Sequence, residues 1–283
     1  MIEINSVLLI VNATKKAAVS LARDMAEYLG SQGIETTTLA LQGKPPQPKI
    51  DHYDLAVSVG GDGTVLFSSR ILSSHAVPIL PVNCGNFGFI TEVTGEEWKG
   101  AFERFRSGSI EAGERLLLRV TVERNGDEIA EFVGLNDAVI SAAGISKIVK
   151  LSVRLSDTIL GRYRADGIIV ATPTGSTAYS VAAGGPVLHP EMEALILNPI
   201  CPFTLSHRPL VLPPDEVIEV EVEQSRRTSV IMTVDGQSEY PLHPEDRVII
   251  RRNEERARIV RSNKRTFYEV LRSKLNWSGG ESA

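Results

Sequence analysis

Hydrophobic periodicity changes once along this chain, and the change limits what each half can become. Before about residue 110, apolar strand-like runs alternate with segments at helical spacing. Residues 6–11 are apolar, and Ala18, Leu21, Ala22, Met25 and Leu29 then recur at the interval of one helix face as far as Gly30. Residues 34–40 form a second candidate strand, GKPPQPK (43–49) a Pro-rich loop, and 77–82 another apolar run. This half reads as α/β with a parallel sheet, which places ligands at the carboxyl ends of its strands. From Leu116 on, period 2 takes over. Leu118, Val120 and Val122 alternate with Arg119, Thr121 and Glu123, as do Leu151, Val153 and Leu155 with Ser152, Arg154 and Ser156. Val220 and Val222 alternate in the same way with Glu219, Glu221 and Glu223. With 230–234, 248–250 and 259–260 added, the second half reads as an all-β domain of the sandwich type. Residues 266–275 return to helical spacing through Phe267, Val270 and Leu271, a helix expected to pack back on the first domain. The expected division is residues 1–112 together with 262–276, and residues 113–261; the SGGESA tail is expected to be loose.

With 283 residues, 42% of them hydrophobic, the chain can fill the cores of two domains. The start MIEINSVLLIVN enters a strand-like run without a basic leader, and no apolar stretch approaches the ~20 residues of a membrane span. A cytoplasmic protein with no membrane partner is expected. Cys84 and Cys201 are too few for a disulfide framework and have no metal spacing. A net charge of −5 speaks against a nucleic-acid partner, since that affinity rests on basic surface. The arginines between Arg247 and Arg265 are interleaved with Glu254 and Glu255 and read as solvated strand faces. The five histidines are scattered without ligand spacing, so the sequence assigns no metal ligands.

Two stretches are not explained by the strand and helix pattern. In DLAVSVGGDGT (54–64) a run with the apolar density of a buried parallel strand ends in three glycines around a single carboxylate, Asp62. Glycine leaves backbone N–H groups open to a phosphate at the positive end of a helix dipole. A carboxylate there repels phosphate unless it binds a metal ion, takes a proton or caps the helix. In RYRADGIIVATPTGSTAYSVAAGGPVLHP (162–190) a short apolar strand runs into five Ser and Thr hydroxyls around a glycine, followed by small residues. By local chemistry this is either a Ser/Thr-rich turn capping a helix or a loop that lets its backbone approach a ligand.

GGDGT (60–64), VNCGNFGFIT (82–91), LND (135–137), RADG (164–167), TPTGSTAYSVAAGGP (172–186), HRPLVLP (207–213) and VDGQ (234–237) resemble, in order and spacing, the NAD kinase family. GGDGT is shared with lipid kinases and phosphofructokinases, whereas TPTGSTAYS with its GGP continuation is specific to NAD kinases. The resemblance covers nearly the whole chain. It implies a Rossmann-like N-terminal domain, a C-terminal β domain and NAD bound in the crevice between them. The reaction it implies moves the γ-phosphoryl of ATP, or of another triphosphate or polyphosphate, to the 2′-hydroxyl of NAD's adenosine ribose, with Mg²⁺ or another divalent metal on the donor. A homodimer or homotetramer, with a neighbouring subunit contributing to the NAD site, is also implied.

Carried over position by position, Asp62 matches the family's proton acceptor, and Gly60, Gly61, Gly63 and Thr64 its donor phosphate turn. Gly63 also matches a backbone contact to NAD. Asn136 and Asp137 match the family's Asn-Glu or Asn-Asp pair on NAD; standing alone, Asn136 would read as an Asx turn. Arg164 and Asp166 match positions that hold ribose hydroxyls and phosphate, and would otherwise read as a structural ion pair. Thr177, Ala178, Tyr179, Ser180, Val181 and Ala182 match the adenine-site loop, with the Tyr179 ring available for stacking. Gln237 matches a further NAD contact, or reads as a hairpin turn, and Lys147 falls where the family has a basic or His contact. Asn-Asp where Asn-Glu is usual, Ala165 for Gly and Phe87 for Leu are departures that remove no polar group the chemistry requires. Two other readings stand beside this one: a GGDGT kinase acting on a lipid or sugar, and a non-catalytic NAD(P)-binding regulator.

Overall fold

The computed structural model describes residues 2–42, 50, 52–85, 88–144, 148–204, 206–223, 229–262 and 264–276. The Pro-rich loop 43–49, Phe87, Lys147 and the tail lie outside the described residues. The chain divides into two compact units, residues 1–114 with 257–283 and residues 115–256.

In the first unit, strands β1 (Ser6–Asn12), β2 (Glu35–Leu41), β3 (Leu55–Gly60), β4 (Ile79–Asn83), β5 (Val93–Thr94) and β6 (Ala112–Arg115) alternate with helices α1 (Lys16–Ser31), α2 (Asp62–Leu72) and α3 (Trp98–Arg106). β1 lies parallel between β2 and β3, and β3 pairs parallel with β4. Every residue of β3 and β4 is buried, because the sheet is covered on both faces. One face packs Leu9, Val57 and Leu80 against Ala18, Met25 and Leu29 of α1 and Phe102 of α3. The other packs Leu8, Ile10, Ala56 and Ile79 against Phe67 and Leu72 of α2. Because β1, β3 and β4 run parallel, the turns after them lie at one end of the sheet, the carboxyl end, where ligands of such folds bind.

The second unit is built from strands β7 (Leu118–Arg124), β8 (Asp127–Gly134), β9 (Asp137–Ala142), β10 (Val149–Leu155), β11 (Thr158–Ala165), β12 (Gly167–Ala171), β13 (Leu195–Ile200), β14 (Leu210–Leu212), β15 (Ile218–Val222), β16 (Val230–Val234), β17 (Ser238–Leu242) and β18 (Arg247–Arg252), with a 3-10 turn (Thr174–Thr177) and a short helix, α4 (Tyr179–Ala182). They form two six-stranded sheets, ordered β11-β10-β15-β18-β7-β8 and β14-β13-β12-β9-β16-β17. Leu118, Val120, Val122, Leu151, Val153, Val220 and Val222 of the first sheet share one apolar core with Ala138, Ile140, Ile168, Val170, Leu195 and Leu197 of the second. A one-residue slip would turn such a row to solvent, at ~1.5–3 kcal/mol per large side chain, so the alternation holds the register. The second sheet is also covered on its outer face, where Val139, Ile169, Ala171 and Ile196 meet Leu188 and Ala194. That double cover explains why β12 is an unbroken apolar run while β10 alternates.

The chain then returns to the first unit. β19 (Ala257–Val260) pairs parallel with β4 through Ile259 and Ile79 and completes a sheet ordered β2-β1-β3-β4-β19-β6, with β5 beside β4. Residues 259–260 therefore do not belong to the β domain to which their apolar pattern assigned them; a two-residue apolar run carries no period that says which sheet it joins. Helix α5 (Phe267–Lys274) follows, its start fixed by Thr266, whose Oγ1 accepts the Glu269 N–H while the Glu269 carboxylate accepts from Thr266. No helix among the described residues is long and apolar enough to cross a membrane.

Candidate active site

In the first unit, β3 ends at Gly60 and α2 begins at Asp62 with Gly61 as its N-cap. A Cβ on Gly60 would stand 2.2 Å from Thr64 Oγ1, so only glycine fits beneath this turn. The buried Thr64 hydroxyl folds back to accept the Gly61 N–H at 3.5 Å, and Gly63 lies exposed in the first helical turn. Asp62, half-buried, reaches across to the segment that follows β4. Its Oδ2 accepts the Phe89 N–H at 2.8 Å, while Oδ1 accepts the N–H groups of Ile90 and Thr91 at 3.3 and 3.0 Å and the Thr91 hydroxyl at 2.8 Å. Oδ1 is thereby saturated, and Oδ2, with two lone pairs, keeps one acceptor site. A Cβ on Gly88 would lie 1.8 Å from Asp62 Oδ1, so the carboxylate can dock only because residue 88 has no side chain. Of the three roles left open for Asp62, the geometry realises a fourth, the clasp of a neighbouring loop, and leaves one oxygen able to take a proton. Among the described residues no group of three His, Cys, Asp or Glu side chains converges to cage a metal ion. Mg²⁺ commonly keeps its waters and binds through substrate phosphates with one or two carboxylates, which requires no such cage.

In the second unit a second carboxylate does similar work. Asp235, 8% exposed, accepts the backbone N–H groups of Leu135 (2.9 Å), Asn136 (2.7 Å) and Asp137 (3.2 Å). It sits with Gly236 at positive φ in the turn joining β16 to β17, closed by the Gln237 N–H donating to Val234 O at 3.0 Å. Gln237 is thus an exposed residue of a hairpin turn. The Asp137 carboxyl is 5% exposed, and burial first and the Asp235 charge second push its pKa up to about 7. Asn136 O accepts the Thr172 N–H at 2.9 Å, while Asn136 Oδ1 is buried and accepts nothing among the described residues, so the side chain closes no Asx turn.

The hydroxyl-rich segment folds onto this corner. A Cβ on Gly175 would stand 2.0 Å from Asn136 O, so glycine lets the segment lie directly on that backbone. Most of its hydroxyls serve its own structure. Thr172 Oγ1 donates to Leu135 O at 2.6 Å and accepts the Gly175 N–H, Ser176 donates to Pro173 O at 2.7 Å, and Thr177 donates to Thr174 O at 3.3 Å. Ser180 is fully buried, its carbonyl accepting Asn198 Nδ2 at 2.9 Å. Thr174 Oγ1 is different: it is buried and without a partner among the described residues. Tyr179 is 48% exposed, presenting its ring from the short turn that also carries Val181 and Ala182, with Ala178 just before it. The sequence reading did not assign a role to Thr174, Asp235 or Gly88, although all three stand within its quoted motifs.

Arg164 and Asp166 are placed elsewhere. β12 runs antiparallel to β9 with Ala171 opposite Asp137 and Gly167 opposite Ser141. Asp166 and Thr172 therefore lie at opposite ends of β12, roughly 20 Å apart at ~3.3 Å per residue. No ion pair joins the exposed Arg164 to Asp166 among the described residues; the guanidinium lies over the Phe203 ring, 5.1 Å from its centroid.

Comparison with known proteins bears on the family and the fold. Residues 46–110 match the ATP-NAD kinase N-terminal domain and residues 135–262 the ATP-NAD kinase C-terminal domain. An NAD kinase of Treponema denticola is 39% identical over 277 residues, covering 98% of each chain. One of Geobacter sulfurreducens is 43% identical over 236 residues, 83% of each chain. Among solved structures, the NAD kinase of Archaeoglobus fulgidus in complex with ATP aligns with a TM-score of 0.78 at 26% identity, over 97% of this chain and all of that one. Yeast NADH kinase complexed with NADH aligns with a TM-score of 0.90 at 22% identity, over 99% of this chain and 89% of its own, a likeness of fold. The chain belongs to the NAD kinase family and is an enzyme, a phosphotransferase acting on NAD.

Proposed function

We propose that the enzyme transfers the γ-phosphoryl group of ATP to the 2′-hydroxyl of NAD's adenosine ribose, giving NADP, with Asp62 as the base that takes the hydroxyl proton on Oδ2. The state of Asp62 carries this reading: a carboxylate oriented by four hydrogen bonds, with one acceptor site left, is built to receive one proton in one direction. Such a base contributes ~10²- to 10⁴-fold, and the rest of phosphoryl transfer is positioning and charge neutralisation. A divalent metal such as Mg²⁺, bound with the donor, supplies neutralisation of its phosphates. The Gly60, Gly61, Gly63 and Thr64 turn receives the donor at the start of α2. Asn136, Asp137, Gln237 and the loop from Thr177 through Ala182 hold NAD, and the buried Asn136 Oδ1 and Thr174 Oγ1, each lacking a partner, have hydrogen-bonding capacity for it. Lys147 is assigned to NAD by resemblance alone. The first test is NADP formation from NAD and Mg²⁺ with ATP, beside an arm with inorganic polyphosphate, read by a dehydrogenase that accepts only NADP. Product in the ATP arm supports the reading, product with polyphosphate alone replaces the donor, and NAD bound without product in either arm defeats it.

The enzyme works in the cytoplasm as a homodimer or homotetramer in which Arg164 and Asp166 serve NAD held by a neighbouring copy. The roughly 20 Å along β12 between these two residues and the Asn136 corner supports this assignment. Chains carrying Asn136→Ala and chains carrying Asp166→Ala, each inactive alone, should regain part of the activity when co-assembled. Mixed assemblies as inactive as their parents would place both groups in one copy's site.

A further inference from the structure

Lys15 is the last residue before α1 and stands at its N-cap, a position that normally favours a short polar acceptor. No side chain caps this helix, its first turn contains no acidic residue, and Lys16 follows. A cation at the positive end of a helix dipole is repelled by it, so the placement opposes stability. The ammonium points to where the first unit's strand-end turns converge. Lys15 Nζ lies 3.8 Å from the point where a Gly61 Cβ would be and 3.7 Å from the equivalent point at Gly85. Lys15, in the turn that follows β1, thus reaches the turns that follow β3 and β4, and neither glycine has a side chain to shield its ammonium. Its charge also reaches Cys84, whose thiol burial pushes up and Lys15 pulls back. Among the described residues no carboxylate pairs with Lys15, and the nearby Asp62 carboxylate is directed instead to residues 89–91.

An exposed ammonium beside the start of α2, unpaired among the described residues and flanked by Gly61 and Gly85, is a complement for several negative charges carried by a flexible chain. We propose that Lys15 is the donor-binding cation of this enzyme, its Nζ contacting the phosphate chain of ATP where that chain lies on the Gly60–Gly61 turn. The proposal rests on the reading of that turn as the donor site and deepens it. Lysine suits the task because a compact ammonium on a flexible stem can follow the phosphates as negative charge shifts during transfer.

The test compares wild type, Lys15→Met and Lys15→Arg by two readouts. Steady-state kinetics at saturating NAD should show kcat/KM for ATP reduced ~10- to 100-fold in Lys15→Met, with KM for NAD within ~2-fold of wild type and most of the loss recovered in Lys15→Arg. Calorimetry with inorganic tripolyphosphate, which needs no turnover, should show a parallel loss of affinity in Lys15→Met and recovery in Lys15→Arg. The Lys15→Met melting midpoint should not fall, since the substitution removes a cation from a helix N-terminus. Unchanged ATP kinetics, equal losses for ATP and NAD, or a tripolyphosphate affinity indifferent to residue 15 would each overturn the proposal. A wild type that makes no NADP from ATP defeats the functional reading instead, and the tripolyphosphate titration still decides Lys15.

Discussion

Asp62 and Asp235 occupy Asp-Gly dipeptides in different units, and each carboxylate gathers three consecutive backbone N–H groups from a distant segment. They differ in what is left over. Asp235 is buried behind its turn, whereas Asp62 is half-exposed at the start of a helix, where its Oδ2 can be reached from solvent. Anchoring a loop is a structural task that both perform; only Asp62 is also placed where chemistry could use it. On the proposed reading of Asp62 as the base, a carboxylate that is held fast still reacts because it is held at an exposed helix start and not behind a turn.

The largest effect that could break this comparison is at Asp62. Asp62→Asn keeps the shape but lacks the basicity, and turnover should fall ~10²- to 10⁴-fold while calorimetry shows NAD still bound. If the rate were unchanged, Asp62 would be an anchor like Asp235 and no more. Gly88→Ala sharpens the point without touching the carboxylate. The new methyl would meet Asp62 Oδ1, so the loop must move and Asp62 must turn; kcat should fall ~10- to 100-fold with little change in NAD affinity. A fully active Gly88→Ala enzyme would show that the orientation of Asp62 is not what the loop provides.

Asp235→Asn should behave differently. One amide oxygen remains for three donors, two of them buried, so urea unfolding should show a loss of about 2–3 kcal/mol, with the rate at saturating NAD much less affected than in Asp62→Asn. An Asp235→Asn enzyme of normal stability but lost turnover would reverse the roles assigned to the two dipeptides.

What the sequence discloses of these sites follows from how local each feature is. The β3 run, its glycine turn and the period-2 alternation through Leu118, Val120 and Val122 are decided within a few residues, and all three are readable by eye. Gly88 is a glycine because of Asp62, whose first bond to its loop is 27 residues away, and Asp235 faces donors up to 100 residues away. No periodicity encodes such pairings. Residues 259–260 mislead for the same reason, since a short apolar run fits either unit's sheet until its partner, here Ile79, is known. The hydroxyls of TPTGSTAYS advertise a polar loop but not their partners: most turn inward to the loop's own backbone, and Thr174 is left without one among the described residues.

The smallest effect concerns the carboxyl that neither dipeptide satisfies. Asp137 receives none of the three N–H bonds that Asp235 collects, and burial together with the Asp235 charge moves its pKa from an ordinary carboxylate value to about 7. Below about pH 4 the folded and unfolded chains both hold this proton. Between about pH 4 and 7 only the folded chain holds it, so unfolding releases a proton and stability falls as pH rises. Above about 7 both forms are ionised and this dependence ends. Glu97, held down to about 2 by the Thr94 N–H, Lys264 and Arg265 against its own burial, acts in the opposite sense, losing its contribution only as pH falls below the usual carboxylate range. From pH 5 to 7 the slope therefore belongs chiefly to Asp137 and should be no steeper than ~1.4 kcal/mol per pH unit. Urea midpoints taken across that window should fall with pH in the wild type and stay nearly level in Asp137→Asn. The same slope in both would mean that Asp137 is ionised beside Asp235 at neutral pH, and that the second unit carries two buried negative charges where the geometry provides donors for one.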